Sequence, residues 1–209
     1  DSHGGWIVLI ADSISDNIDF IISKSGPAVT PLKTVEFDVV GNYLSKQNVP
    51  DNEKQKILNL YPKIFRYLTR NRSENLWADI KSELDYFEPT PYFKNDFDEY
   101  YKELLMPPNE MPTVDKIQLA PSGRDFDFDP RPYLEKLTTR MFLAYGEADK
   151  LIPVKDCVPV INDIDNPNIE MVIYDNADHG IRIQQKPDIL FGTKFPDGYF
   201  EKLVDFIKN

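Results

Sequence analysis

At 209 residues and 24.2 kDa, with 41% hydrophobic residues and a mean hydropathy of -0.45, the chain can bury a sizeable core and reads as globular. Its formal net charge of -11 repels a phosphate backbone, no Lys- and Arg-rich stretch offsets it, and nucleic acid is not expected as a partner. No apolar run approaches the roughly 20 residues that a bilayer span needs. The single cysteine, Cys157, excludes an internal disulfide framework and leaves the compartment undetermined.

The chain opens on Asp1-Ser2-His3-Gly4-Gly5-Trp6 and runs into the apolar stretch Ile7-Val8-Leu9-Ile10-Ala11. A serine followed after one residue by two glycines is what a G-x-S-x-G nucleophile elbow leaves when cut through its second position, its first glycine falling just before Asp1. Two readings of Ser2 stand. As a nucleophile it needs small neighbours for the sharp bend and for substrate approach, and the turn aims the backbone N–H of His3 at a developing oxyanion. Alternatively, Ser2 caps a helix or belongs to a frayed end. Residues 6 to 11 fit a buried strand or a buried helix, and the glycine pair favours the helix. Asn17 to Ser23 reads as a buried strand closed by the turn Ser25-Gly26-Pro27.

From about Ala28 to Pro121 the pattern is helical. Thr34 to Lys46 places Val35, Val39, Val40, Tyr43 and Leu44 on one side. Asp51 is a candidate N-cap for a helix in which Ile57, Leu60, Tyr61, Ile64, Phe65 and Leu68 follow i, i+3, i+4, i+7 spacing, and Pro62 is expected to kink or split it. Ser73 caps a third helix with Leu76, Trp77, Ile80 and Leu84 inward, ended by Pro89 and Pro91. A fourth carries Phe97, Tyr100, Tyr101, Leu104 and Leu105. With no strand signal between them, these helices read as an insertion between strands of a sheet, and a minority of their aromatics would line an apolar pocket if the block covers a site.

Met106 to Pro132 is a proline-rich return linker. Within it, Asp125 to Asp129 imitates the start of a calcium loop, but Pro130 stands where glycine is needed and Lys136 where a bidentate glutamate belongs. No metal is expected there; the aspartates suit turns and a cap for a short helix around Pro132 to Lys136. Met141 to Tyr145 is a compact buried strand ending at Gly146-Glu147-Ala148-Asp149, followed by a helix from Lys155 to Ile161. Ile169 to Tyr174 forms another strand, ending at Asn176-Ala177-Asp178-His179-Gly180, and Tyr199 to Lys208 a last amphipathic helix.

Two strands thus end in loops that carry an acid and a histidine, downstream of the serine. In this order, Ser2, Asp149 and His179 follow the chain order of α/β-hydrolases, and sites in open α/β sheets form at the carboxyl ends of strands. The sequence resembles the α/β-hydrolase superfamily, in particular its serine esterases and peptidase-like hydrolases with a helical cap. The resemblance is carried by Ser2-His3-Gly4-Gly5-Trp6, Ser25-Gly26-Pro27, Asp129-Pro130-Arg131-Pro132-Tyr133-Leu134, Tyr145-Gly146-Glu147-Ala148-Asp149, Asp178-His179-Gly180 and Gly198-Tyr199-Phe200.

It implies a partial α/β-hydrolase fold, a parallel sheet flanked by helices, with core segments at 1–27 and 122–209 and a helical cap insertion with its return linker at 28–121. It further implies Ser2 as nucleophile, His179 as general base, Asp149 as the group that fixes the imidazole tautomer, and the His3 N–H as an oxyanion donor. Without the family pattern, Asp149 reads equally as a turn residue, and Asp178 competes for the histidine. Cys157 reads as a small buried hydrophobe.

Most of the family's early strands and its second oxyanion donor have no counterpart here, so the chain is expected either to be a truncated piece of a larger enzyme or to have its fold completed by another chain or by exchange between copies. Alone, the chain is expected to turn over esters poorly, since one lost donor typically costs about 10²–10³ in rate. The substrate class implied is a small ester or acyl compound, with a peptidase or thioesterase within the same chemistry and a non-catalytic binding module as the reading from another class. No cofactor is implied.

Overall fold

The computed structural model describes residues 1–44, 49–69, 73–87, 89–90, 128–183 and 192–208. The fourth helix expected around Phe97 to Leu105, and residues 125 to 127 of the acidic stretch, lie outside them. The chain forms two compact units, one of residues 1–38 and 129–209, the other of residues 39–128.

The first unit is built on three strands, β1 (Phe20–Lys24), β2 (Arg140–Gly146) and β3 (Ile169–Tyr174), in the order β1-β2-β3 and parallel throughout. Met141 to Tyr145 reads as an unbroken apolar run because the central strand is covered on both faces. Met141, Leu143 and Tyr145 join Ile21 and a layer made by α1 (Gly4–Ser13), a short α-helix at Arg131–Lys136 and a longer one at Val154–Ile164. Phe142 and Ala144 face the other way, toward Tyr199, Leu203 and Phe206 of the C-terminal helix Tyr199–Lys208. The result is an α/β architecture, a parallel sheet flanked by helices, as the partial α/β-hydrolase resemblance implies.

The run from Ile7 to Ala11 is helical, inside α1. β1 begins three residues later than its composition suggests, because pairing sets its start: Phe20 is in register with Arg140, the first residue of β2. Asn17 is instead held in a bend, its N–H donating to Ser15 Oγ at 3.3 Å.

The helix expected from Thr34 to Lys46 is two pieces. α2 (Pro31–Val35) opens on Thr30, whose Oγ1 accepts from Lys33 N at 3.3 Å, and passes into a π-helical stretch, Glu36–Tyr43. The β-branched pair Val39-Val40 followed by Gly41 is a weak α-helix former, and the wider turn is found there.

In the second unit, α3 (Asp51–Thr69) runs through Pro62 as one helix, so of the kink or split expected there the split does not occur. Its amphipathic face, with Ile57, Leu60, Tyr61, Ile64 and Tyr67 buried, supplies more than the one backbone hydrogen bond that proline removes. It packs on α4 (Glu74–Phe87), where Ser73 Oγ accepts from Leu76 N at 3.3 Å. Tyr67 stacks on Trp77 at 5.0 Å, and Lys63 bridges Asp79 and Glu83. The remaining helices take the names α5 (Arg131–Lys136), α6 (Val154–Ile164) and α7 (Tyr199–Lys208).

Candidate active site

Parallel strands place their carboxyl ends at one edge of the sheet, and the three candidate side chains follow from that. Ser2 lies at the end of β1, its N–H donating to Lys24 O at 2.8 Å while Asp1 pairs with Lys24 at 3.1 Å. The φ of Ser2 is 50°, in the left-handed region that a non-glycine residue occupies at a cost. Ser2 is not a helix cap: His3 occupies the N-cap of α1, with no side-chain capping bond. A Cβ on Gly5 would stand 2.5 Å from Gly26 Cα, so the start of α1 seats directly on the turn after β1, and only glycine permits it. Trp6 fastens the same contact by donating from Nε1 to Val29 O at 3.2 Å, and the His3 ring meets Trp6 edge-on at 5.2 Å.

Asp149 ends the loop after β2. That loop is tied to the β3 side by Glu147 N to Tyr174 O at 3.0 Å and Ala148 N to Ala177 O at 2.8 Å. The Asp149 side chain is fully buried, and its two oxygens act separately. Oδ1 accepts from Leu151 N at 2.8 Å and Ile152 N at 3.0 Å, fixing the turn; Oδ2 lies 2.9 Å from His179 Nδ1. With a carboxylate as its partner, Nδ1 is the donor, which leaves Nε2 of a neutral imidazole as the basic nitrogen. One oxygen of Asp149 thus fixes a turn and the other meets the imidazole.

Asp178 does not compete. Its carboxylate is 1% exposed and accepts from Gly180 N at 2.8 Å, from Arg182 N at 3.0 Å and from Gly192 N, so it is occupied in bracing its own loop. Gly146 closes the arrangement from below: a Cβ there would stand 2.2 Å from Asp178 O.

Thus the acid and the imidazole are in contact, whereas Ser2 stands at the neighbouring strand end without a hydrogen bond to His179 among the described residues. Two cavities of the first unit, about 550 Å³ beside Arg140, Asn168 and Lys202 and about 700 Å³ beside Asp12, Tyr133 and Lys136, are lined by none of the three. Cys157 is completely buried, and burial pushes its thiol up to about 11. Sequence reasoning missed Ser25. Read only as the first residue of a turn, it has a φ of 52° and donates from Oγ to His179 O at 2.8 Å.

No protein-family model and no curated protein matches the chain. Among solved structures it is similar to an esterase from Pyrococcus furiosus, at 15% identity and a TM-score of 0.44 over 99% of this chain and 51% of the esterase. It is also similar to a meta-cleavage product hydrolase from Pseudomonas fluorescens IP01, at 15% identity and a TM-score of 0.44 over 100% of this chain and 62% of the hydrolase. A second structure of a meta-cleavage product hydrolase gives 16% identity and a TM-score of 0.39 over 100% and 63%. The chain therefore spans between 51% and 63% of the length of these proteins.

Proposed function

We propose that the chain is a serine hydrolase of the α/β-hydrolase type that cleaves carboxylic esters through an acyl-enzyme. The observation that carries this is the 2.9 Å contact between the buried Asp149 carboxylate and His179 Nδ1, at the strand edge where Ser2 sits in a left-handed bend. Ser2 Oγ attacks the ester carbonyl as His179 Nε2 takes its proton, and the N–H of His3, at the head of α1, donates to the oxyanion. The imidazolium, stabilised by Asp149, passes the proton to the leaving alcohol. Water then enters, loses a proton to the same nitrogen and releases the acid, restoring Ser2.

Labelling tests this without requiring fast turnover. A fluorophosphonate probe is expected to attach to Ser2, located by peptide mapping, and Ser2→Ala to abolish it. Labelling that survives the substitution would overturn the assignment. Relative rates on an aryl ester, an aminoacyl anilide and an acyl thioester then rank ester against amide and thioester chemistry. The missing Ser2–His179 hydrogen bond favours one other reading, a non-catalytic module that keeps the fold for binding, and complete absence of labelling would support it. A second copy or a complementing chain is proposed as the partner that finishes the sheet on the β1 side.

A further inference from the structure

We propose that Ser25 is a positioning residue: its hydroxyl holds His179 at a fixed distance from Ser2 by clamping the histidine loop to the bend that also holds the serine. The inference rests on the serine-hydrolase reading above.

Ser25 is the first residue after β1, and it is completely buried. Its N–H donates to Ala144 O at 2.8 Å, so it continues the pairing of β1 with β2 one step beyond the strand. Its Oγ then reaches past β2 to His179 O at 2.8 Å, on the loop that follows β3. The preceding residue, Lys24, accepts the N–H of Ser2 at 2.8 Å. Two adjacent residues, Lys24 and Ser25, therefore grip the proposed nucleophile and the proposed base.

The other bonds of the histidine loop fasten it elsewhere. Asp178 ties it to Gly180, Arg182 and Gly192, Ala177 O ties it to Ala148, and His179 Nδ1 meets Asp149 Oδ2. These hold the loop to itself and to the acid loop, and the Ser25 hydroxyl holds it to β1. The backbone makes the same point. At a φ of 52° glycine would be unstrained, yet a serine stands here, and the bond its hydroxyl makes accounts for the choice.

Two substitutions separate the hydroxyl from the backbone. Ser25→Gly removes the hydroxyl and relieves the bend; Ser25→Ala removes the hydroxyl and keeps the bend strained. Long-range ¹H–¹⁵N NMR of the imidazole reads the consequence without any turnover, and the chain has only two histidines, so His3→Gln assigns the signals. In the unmodified chain His179 is expected as the Nδ1–H tautomer, and in both variants as a mixture with the Nε2–H form.

Fluorophosphonate labelling at saturating probe is expected to slow about ten- to a hundredfold in both, with the half-saturating concentration unchanged. Far-UV circular dichroism checks folding, and Ser25→Gly decides the matter if Ser25→Ala does not fold. The proposal is overturned if Ser25→Gly keeps the tautomer and labelling rate of the unmodified chain, because the backbone alone would then suffice. A tautomer shift in a chain that never labels would keep the clamp and remove the hydrolase reading.

Discussion

Asp149 shows how much one side chain can be asked to do. Its Oδ1 holds the turn through Leu151 N and Ile152 N while Oδ2 faces His179 Nδ1. Asp149→Asn can keep the first task, because an amide oxygen still accepts both N–H groups, but its NH₂ then points at the imidazole and selects the wrong tautomer. Fluorophosphonate labelling of Ser2 is expected to slow by about 10³–10⁴ while the thermal midpoint moves little. A loss of folding in place of a loss of rate would assign Asp149 a purely structural role. Cys157 is the residue-scale contrast. Burial raises its thiol from an ordinary value near 9 to about 11, so at pH 8 it is expected to resist iodoacetamide in the folded chain and react fully in urea, as mass spectrometry would show. The sign of the linkage follows. The folded state binds this proton more tightly, so the stability it contributes is whole below pH 9 and is lost as pH rises toward 11, by about 2–3 kcal/mol at most. Cys157→Ala should flatten that part of the pH profile in urea titrations.

Where elements meet, the head of α1 comes into close contact with the turn after β1. A Cβ at Gly5 would lie 2.5 Å from Gly26 Cα, and one at Gly26 would lie 2.1 Å from Ser23 Oγ. Either Gly5→Ala or Gly26→Ala must move a helix end against a strand end, and each is expected to cost about 1–3 kcal/mol in urea unfolding. A neutral result would mean that the α1–β1 contact is loose. What could be read in advance divides along the same line between local and non-local causes. β3 and α7 carry their signal in their own residues, Ile169 to Tyr174 as a bounded apolar run and Phe200, Leu203, Val204 and Ile207 as helical spacing, and both have the limits expected. The acid and histidine loops were legible because each follows such a strand. By contrast, the start of β1 depends on its register with Arg140, and Ser25 serves a carbonyl 154 positions away, which nothing in Ser25-Gly26-Pro27 announces. At Pro62 the split, one of the two outcomes expected, is absent for the converse reason, since a local rule yielded to the buried face of α3.

At the scale of the whole unit, β1 is paired on one side only, with β2, among the described residues. α1 leaves Ile7 62% and Ile10 39% exposed, three positions apart on one helical face, and Ile14 at its C-cap is 81% exposed. An unpaired strand edge and an exposed apolar helix face are each surfaces that another chain can cover, the first by adding a strand and the second by burying the isoleucines. No helix among the described residues is long and apolar enough to cross a membrane, so this face is not part of a spanning helix there. If a second copy is the partner, sedimentation velocity should show association growing with protein concentration, and Ile7→Lys with Ile14→Lys should return the chain to a monomer with its circular dichroism intact. Salt then distinguishes the occupant. Two copies each carrying a net charge of -11 repel, so self-association is expected to strengthen as salt screens them, whereas a basic partner chain would bind more weakly under the same change. A monomer at every concentration and salt level would remove the second copy as the occupant of this surface.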